Sequence, residues 1–201
     1  MELIYLNPIV FYILIMITKI KNFSQIISIS NGLYVFDIDE TFLVFRNMSD
    51  LHWEIEQKKL LKIYKDPIKV EKMMLDFFDN ILRTYKFKPT DLAGFKKIER
   101  QNKLLNNDII FLTARPERYR EITMNHLRTL YPGINYPVYF SETKGDKLNE
   151  ILETSEKKYE QIVFVDDKES NLNDVNSKVE NVKCYKFNPN EYIVNFDLQN
   201  Q

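Results

Sequence analysis

The chain has 201 residues, of which 44% are hydrophobic and 28% are charged, a balance typical of a globular protein with one main domain. Its 28 basic and 29 acidic residues give a net charge of −1, so the chain as a whole has no field that would attract nucleic acid or an anionic membrane. A single cysteine excludes an internal disulfide. We expect no nucleic acid partner, and function has to be argued from local groups of residues.

The first feature along the chain is an uninterrupted apolar run at residues 9–17, with a proline just before it and two lysines soon after it. A membrane-spanning helix needs about 20 apolar residues, and the run reaches that length only across the proline. A secretory signal usually has positive charge before the apolar run, whereas an acidic residue precedes this one. Residues 1–21 therefore leave three interpretations open: a signal, a membrane anchor or a buried element. Membrane contact is expected only through residues 3–18, and a cytoplasmic, an anchored and an exported protein all remain possible.

Five short apolar segments follow, and helical patterns separate most of them. They are rich in β-branched and aromatic residues and lie at 33–36, 109–112, 138–140, 162–165 and 183–187. This alternation predicts βαβ units that build a parallel sheet. Because the segments are apolar at successive positions, helices should cover both faces of the sheet. The sequence therefore predicts an α/β fold with a doubly wound, mostly parallel sheet.

A long helical stretch separates the first two of these strands. Between about residues 50 and 88 the apolar residues recur at three- and four-residue spacing, and Pro67 fits the start of a helix. Residues 91–102 then have the pattern of a regular crossover helix. We therefore expect residues 22–201 to form one domain that carries a small helical insert at about 50–88, near the ends of the strands.

A group of polar residues follows each of the first four predicted strands. In chain order the groups are Asp37 with Asp39, Thr113 with Arg115, Lys144, and Asp166 with Asp167. The ends of parallel strands meet at one edge of the sheet, where open α/β sheets bind ligands. A buried carboxylate is costly unless it is paired or bound to a metal. Several acids and a lysine at that edge therefore predict a cation with oxygen ligands beside a bound anion.

The types and the order of these residues resemble the four motifs of the haloacid dehalogenase (HAD) superfamily. The first motif, Asp-x-Asp-x-Thr, stands at residues 37–41, and the others stand at Thr113, Lys144 and the pair at 166–167. The resemblance covers residues 22–187 and extends to a bacterial HAD subgroup of unknown function that often carries an N-terminal signal. Each motif alone is weak, and the four in order are specific.

The resemblance implies a Rossmann-like, magnesium-dependent phosphomonoester hydrolase that works through an aspartyl-phosphate. Asp37 would be the nucleophile. Asp39 would be the general acid and base. Oxygen ligands suit Mg²⁺, and the expected set is Asp37, the backbone carbonyl of Asp39, Asp166 and Asp167. Asp167 has two other interpretations, as a supporting carboxylate or as the N-cap of the following helix.

The resemblance also implies a phosphate-binding set. Thr113 and Lys144 would hold the phosphoryl oxygens. Lys147 is the rival lysine, although the position of Lys144 before Gly145 at a helix start favours Lys144. Arg115 has two interpretations: it grips a second anionic group of the substrate, or it forms an exposed salt bridge.

Other conspicuous residues have simpler interpretations. His52 and His126 have no metal-binding partner at helical spacing and are expected to be structural. Trp53, with Phe45 and Tyr64, is expected to form the core of the insert rather than a surface for substrate.

Three functions remain open from the sequence. They are phosphomonoester hydrolysis, phosphoryl transfer to an acceptor other than water, and non-catalytic binding of phosphate or of a partner. Phosphomonoester hydrolysis is the leading expectation, and the presence of both Asp37 and Asp39 argues against the non-catalytic module. The expected substrate is a phosphorylated small molecule or a phosphoprotein, and a small insert would leave the site open to the larger of the two.

Overall fold

The computed structural model describes residues 17–46, 48–189 and 191–192. Its strands are β1 (Thr18–Ile20), β2 (Gly32–Phe36), β3 (Leu43–Phe45), β4 (Phe87–Pro89), β5 (Asp108–Thr113), β6 (Val138–Phe140), β7 (Gln161–Asp166) and β8 (Val182–Phe187). Its α-helices are α1 (Asp50–Tyr64), α2 (Pro67–Thr84), α3 (Leu92–Leu105), α4 (Arg120–Leu130), α5 (Lys144–Thr154) and α6 (Glu169–Lys178). Short 3₁₀ helices lie at Phe23–Gln25 and Glu117–Tyr119.

Six strands form one parallel sheet in the order β1-β8-β7-β2-β5-β6. The central strand β2 is buried along its whole length, and its successive side chains face two different apolar clusters. Tyr34 and Phe36 belong to one cluster, whereas Leu33 and Val35 belong to the other. Both faces of the sheet are therefore covered, and the predicted doubly wound α/β fold is confirmed.

Aromatic rings fill the face of the sheet on which α3 packs. The ring of Phe42 lies 4.9 Å from those of both Phe95 and Phe111, in edge-to-face geometry. Helix α3 is held at its start by Asp91, whose carboxylate accepts a hydrogen bond from the N–H of Gly94. A Cβ at Gly94 would lie 2.1 Å from that carboxylate, so glycine permits this close cap.

The sheet begins earlier in the chain than the sequence predicted. Strand β1 lies within the segment 1–21 and pairs in parallel with β8, because Thr18, Lys19 and Ile20 align with residues 185–187. The expected domain boundary after residue 21 therefore lies C-terminal to the first strand, which already belongs to the sheet. The interpretations of residues 1–16 as signal, anchor or buried element lie outside the described residues. Among the helices that the structure describes, none is both long and apolar enough to cross a bilayer.

The insert consists of β3, α1, α2 and β4. Strands β3 and β4, which the sequence analysis did not predict, pair antiparallel and join the two ends of the insert. Asp66 caps α2 by accepting from the N–H groups of Ile68 and Lys69. Within the helix pair, Trp53 stacks on Phe77 at 6.2 Å. Ile81 instead belongs to the main aromatic core, so the insert and the sheet share one core.

Candidate active site at the carboxyl edge of the sheet

A tight loop after β2 carries the two acids of the first motif. Asp37 still belongs to the sheet ladder, because its N–H donates to the carbonyl of Val165 at 2.9 Å. The carbonyl of Ile38 accepts hydrogen bonds from the N–H groups of Phe42 and Leu43, which closes the loop. Glu40, at the turn, has a left-handed backbone with φ 57°. A non-glycine residue in that region is strained, and such strain is common in loops that position functional groups.

Helix α5 delivers Lys144 to the same edge of the sheet. Gly145 lets α5 approach α6 closely, since a Cβ there would lie 2.8 Å from the carbonyl oxygen of Asp174. The Asp174 carboxylate also accepts the N–H of Gly145 at 2.8 Å and so holds the first turn of α5. The side chain of Lys144 is only 1% exposed. The close packing of α5 against α6 therefore explains why glycine stands at position 145, directly after the buried lysine.

The Lys144 ammonium lies between two carboxylates. It donates a hydrogen bond to Asp37 and another, of 2.6 Å, to Asp166. Burial alone would lower the pKa of Lys144, but the charges of Asp166 and Asp37 raise it above its ordinary value. The rival Lys147 instead pairs with Glu150 at 2.7 Å at the surface. Of the two lysines, Lys144 is the one at the carboxylates.

Three carboxylates meet beside this lysine. One oxygen each of Asp37, Asp166 and Asp167 lie within 4.8 Å of one another. Asp166 is held by the N–H of Lys168 at 2.8 Å and by the amide of Asn171, which donates to both of its oxygens. The acids at the ends of β2 and β7 therefore form a fixed group of oxygen donors.

The charge of this cluster is not balanced by the lysine alone. Burial, with the neighbouring charges of Asp37 and Asp166, raises the pKa of Asp167 to about 9. Burial likewise raises the pKa of Asp37 to about 7, although the charge of Lys144 opposes the rise. Three carboxylates meet here beside the ammonium of Lys144, with Lys168 also acting on Asp167, and a divalent cation would add positive charge where the three acids meet. The donor set, made of hard oxygens, fits Mg²⁺.

Asp39 is held by a different partner. Its two oxygens accept a bidentate pair of hydrogen bonds from Arg115, at 2.8 Å from Nε and 2.7 Å from Nη2. Burial alone would raise the pKa of Asp39, but the charge and hydrogen bonds of the guanidinium hold it below its usual value. The side chain of Asp39 thus stands apart from the three-carboxylate cluster, with its orientation set by the fork of Arg115.

The remaining nitrogen of Arg115, Nη1, makes its hydrogen bonds with two side chains of helix α4. Nη1 lies 2.9 Å from Oγ1 of Thr123 and 3.3 Å from Nδ1 of His126. Burial, together with the charge of Arg115, lowers the pKa of His126 to about 4, so the ring is neutral near pH 7. The sequence analysis missed this support. The sequence feature that could have indicated this support is the pair Thr123 and His126, two polar residues three positions apart on the buried face of the amphipathic helix α4.

These contacts bear on two predicted phosphate-binding residues. Every guanidinium nitrogen of Arg115 is bonded to Asp39, Thr123 or His126. Of the two interpretations of Arg115, the geometry agrees with the salt bridge, but the guanidinium is buried rather than exposed. Thr113 is fully buried at the end of β5, and its hydroxyl oxygen accepts the N–H of Arg115 at 3.2 Å. Its proton remains available for a second hydrogen bond.

A cavity of about 330 Å³ lies over these groups. Its polar floor includes Asp37, Asp39, Lys144 and Asp167. Its apolar wall comes from the insert: Met48, Trp53, Leu75 and Phe78. The insert therefore lies at the same edge of the sheet as the acids, and Trp53, expected only in the core of the insert, also lines the cavity. Helical spacing alone could not tell which side chains of the insert face the site.

Comparison with known proteins identifies the family. The sequence matches, over residues 16–136 and 139–188, the family described as "Protein of unknown function (DUF2608)". The chain belongs to this family. Among solved structures, the DUF2608 chain is similar to the one titled "Crystal structure of Legionella pneumophila effector Ceg4 with N-terminal yeast Hog1p sequence", with 13% identity and a TM-score of 0.45, over 85% of this chain and 96% of that one. No curated protein matches the chain.

Proposed function

We propose that this DUF2608 protein is a magnesium-dependent phosphomonoester hydrolase in which Asp37 is the nucleophile. The observation that carries the proposal is the floor of the cavity, where Asp37 and Asp39 lie with the buried Lys144. Two acids with different partners suit two different tasks. The order of the motifs, which resembles that of the HAD superfamily, supports the same reaction.

In the first step, a carboxylate oxygen of Asp37 attacks the phosphorus and the bond to the alcohol oxygen of the substrate breaks. The leaving oxygen takes a proton from Asp39. Lys144, which the neighbouring Asp37 and Asp166 keep charged, attracts the phosphoryl oxygens. The products of this step are the alcohol and an aspartyl-phosphate at residue 37.

In the second step, water attacks the phosphorus of the aspartyl-phosphate and releases inorganic phosphate. Asp39 accepts the proton of this water, which restores both acids. Arg115 keeps the free Asp39 ionised, the form that acts as a base. A phosphate dianion in the cavity would raise the pKa of Asp39 by like-charge repulsion and so favour the protonated form that the first step needs.

Asp37, Asp166 and Asp167 are the side chains that would hold Mg²⁺. When bound, the cation lowers the repulsion between the anionic nucleophile and the anionic phosphate. Asn171 and Lys168 fix the orientation of Asp166 and thereby support the site.

The apolar wall of the cavity indicates the polarity of the alcohol group that the substrate carries. Met48, Trp53, Leu75 and Phe78 form an apolar surface in the same cavity as the acids. Apolar surface gains free energy by contact with an apolar group and gains none by contact with a charged one. We therefore expect the phosphate esters of apolar or aromatic alcohols to bind better than those of small polar alcohols.

The test is release of phosphate from an aryl phosphate by the purified chain. We expect turnover with Mg²⁺, loss of turnover in excess chelator, and loss in Asp37→Asn, which has nearly the same shape. The control is Asp146→Asn, at a surface carboxylate that pairs with Lys178. Activity of Asp37→Asn equal to that of the wild type would overturn the proposal.

A further inference from the structure

The far end of the insert carries an unusual combination of exposed side chains. We define the hairpin tip as residues 57–72, the end of α1, the connecting turn and the start of α2. Every residue from 61 to 69 is exposed. Four of these are apolar or aromatic, and Ile63 and Ile68 are 61% and 80% exposed. Single exposed apolar residues are common, but a contiguous group at one end of a hairpin indicates a binding surface.

The charge of the tip differs from that of the chain. Residues 57–72 contain six lysines and two acidic residues, whereas the whole chain has a net charge of −1. Lys58 and Lys59 pair with Glu54 and Glu56, which lie just before this range, whereas Lys62, Lys65 and Lys72 have no acidic partner in the described part of the chain. One of the two acids, Asp66, is used to cap α2. The near-neutral total therefore hides a local positive surface, which the sequence analysis overlooked.

We propose that the hairpin tip is a docking surface for an anionic lipid membrane. The apolar side chains of the tip, Leu61, Ile63, Tyr64 and Ile68, are each at least 36% exposed, so they do not enclose a small ligand. A bilayer receives projecting apolar side chains, while its anionic headgroups attract the lysines around them. Lysine stems can lie along the apolar region and keep their charges at the headgroups. Charge and shape at the tip therefore match the same occupant.

Docking through the tip leaves the candidate active site open. Trp53 lines the cavity from the first part of α1, and Tyr64 ends the same helix at the tip. At 1.5 Å per residue, these two positions are about 16 Å apart along the helix axis. The proposal is thus independent of the proposed hydrolysis, and each can fail without the other.

The experiment uses the full chain and vesicles of phosphatidylcholine with or without phosphatidylserine. An environment-sensitive fluorophore is attached at Ile68→Cys, which is practical because the native Cys184 is buried. A second label at Leu104→Cys, on α3, reports on an equally exposed apolar position away from the tip. We expect a blue shift at position 68 with phosphatidylserine vesicles, no shift with phosphatidylcholine alone, and no shift at position 104.

Two unlabelled variants test the contributions of charge and of apolar contact. Lys62→Gln with Lys72→Gln should weaken partitioning onto phosphatidylserine vesicles on the order of tenfold or more, since each lysine near the surface contributes about fivefold. Ile63→Ser with Ile68→Ser should weaken it further. All these side chains are exposed, so the fold should be retained. The matched control, Lys97→Gln with Lys103→Gln, changes two exposed lysines of α3 and should bind like the wild type.

Three results would overturn the proposal. In the first, the tip variants bind vesicles as tightly as the wild type. In the second, the protein sediments with vesicles while the label at position 68 stays in water, which would assign binding to another part of the chain. In the third, the tip binds an acidic polypeptide or a nucleic acid and leaves phosphatidylserine vesicles unbound.

Discussion

Replacing Arg115 by Met is expected to weaken both the fold and the proposed reaction. The change removes the bidentate partner of Asp39 and leaves the negative charge of that acid without a compensating positive charge. Breaking a buried ion pair costs about 3–5 kcal/mol, and the lower end applies here because the Asp39 side chain is 32% exposed and partly screened. For a chain of this size, a loss of about 3 kcal/mol lowers the melting temperature by about 6–12 °C.

The same change should reduce catalysis in a way that depends on the leaving group. Without its guanidinium partner, Asp39 is free to rotate, and part of the 10²–10⁴-fold effect typical of a general acid should be lost. An alkyl phosphate, whose leaving alkoxide needs the proton, should lose more than an aryl phosphate with an acidic phenol. The assay compares kcat for both substrates in wild type, Arg115→Met and Arg115→Lys.

Arg115→Lys is the matched control because it keeps the positive charge and loses the two-pronged geometry. It should be more stable than Arg115→Met and intermediate in rate. Unchanged stability and unchanged kcat on both substrates in Arg115→Met would refute the role assigned to the guanidinium. An equal loss on both substrates would show that Arg115 acts on something other than the proton delivered to the leaving group.

Further predictions concern the proposed metal site, the neutral histidine and the cavity wall. Asp167→Asn should raise the melting temperature in chelator by about 2–4 °C, because burial among acids forces Asp167 to take up a proton near pH 7, a free-energy cost that the neutral amide avoids, and it should shrink the increase that Mg²⁺ produces; a lower melting temperature in chelator would contradict this. Stability should fall as the pH drops from about 6.5 towards 4, by at most about 1.4 kcal/mol per pH unit, because the unfolded chain protonates His126 while the fold keeps it neutral. Urea unfolding should show a shallower fall in His126→Asn, and an identical slope would exclude this group as the cause. Trp53→Ala should raise KM for an aryl phosphate roughly tenfold, by loss of apolar contact, and leave KM for glycerol phosphate unchanged; equal changes for both substrates would argue against contact with the alcohol group.

The predicted strands and helices were well defined by sequence because buried parallel strands are short apolar runs with helical periodicity between them. The run at 162–165, for example, lies within β7, which extends by one residue on either side. Strands β1 and β4 were missed for a physical reason. Each has three residues and includes lysine, and pairing with a distant strand, rather than local pattern, makes them strands.

The acids and Lys144 could be placed together from the sequence because the edge of a parallel sheet is a consequence of topology. The side chain with which each acid pairs could not be predicted from the sequence. Arg115 has the same chemistry whether it meets a substrate anion or Asp39, and the choice depends on the packing of α4 beneath it. The direction in which Trp53 points depends likewise on the packing of α1 against α2, which helical spacing leaves undetermined.

The central claim, that Asp37 forms a covalent acyl phosphate, is tested most directly by trapping that species. The Asp39→Asn variant is mixed with an aryl phosphate and Mg²⁺ and quenched in acid, and its intact mass is measured. The account predicts one added phosphoryl group, which borohydride reduction followed by peptide mapping assigns to residue 37. Phosphate release by the wild type with no adduct in either protein, or an adduct at a different residue, would contradict it.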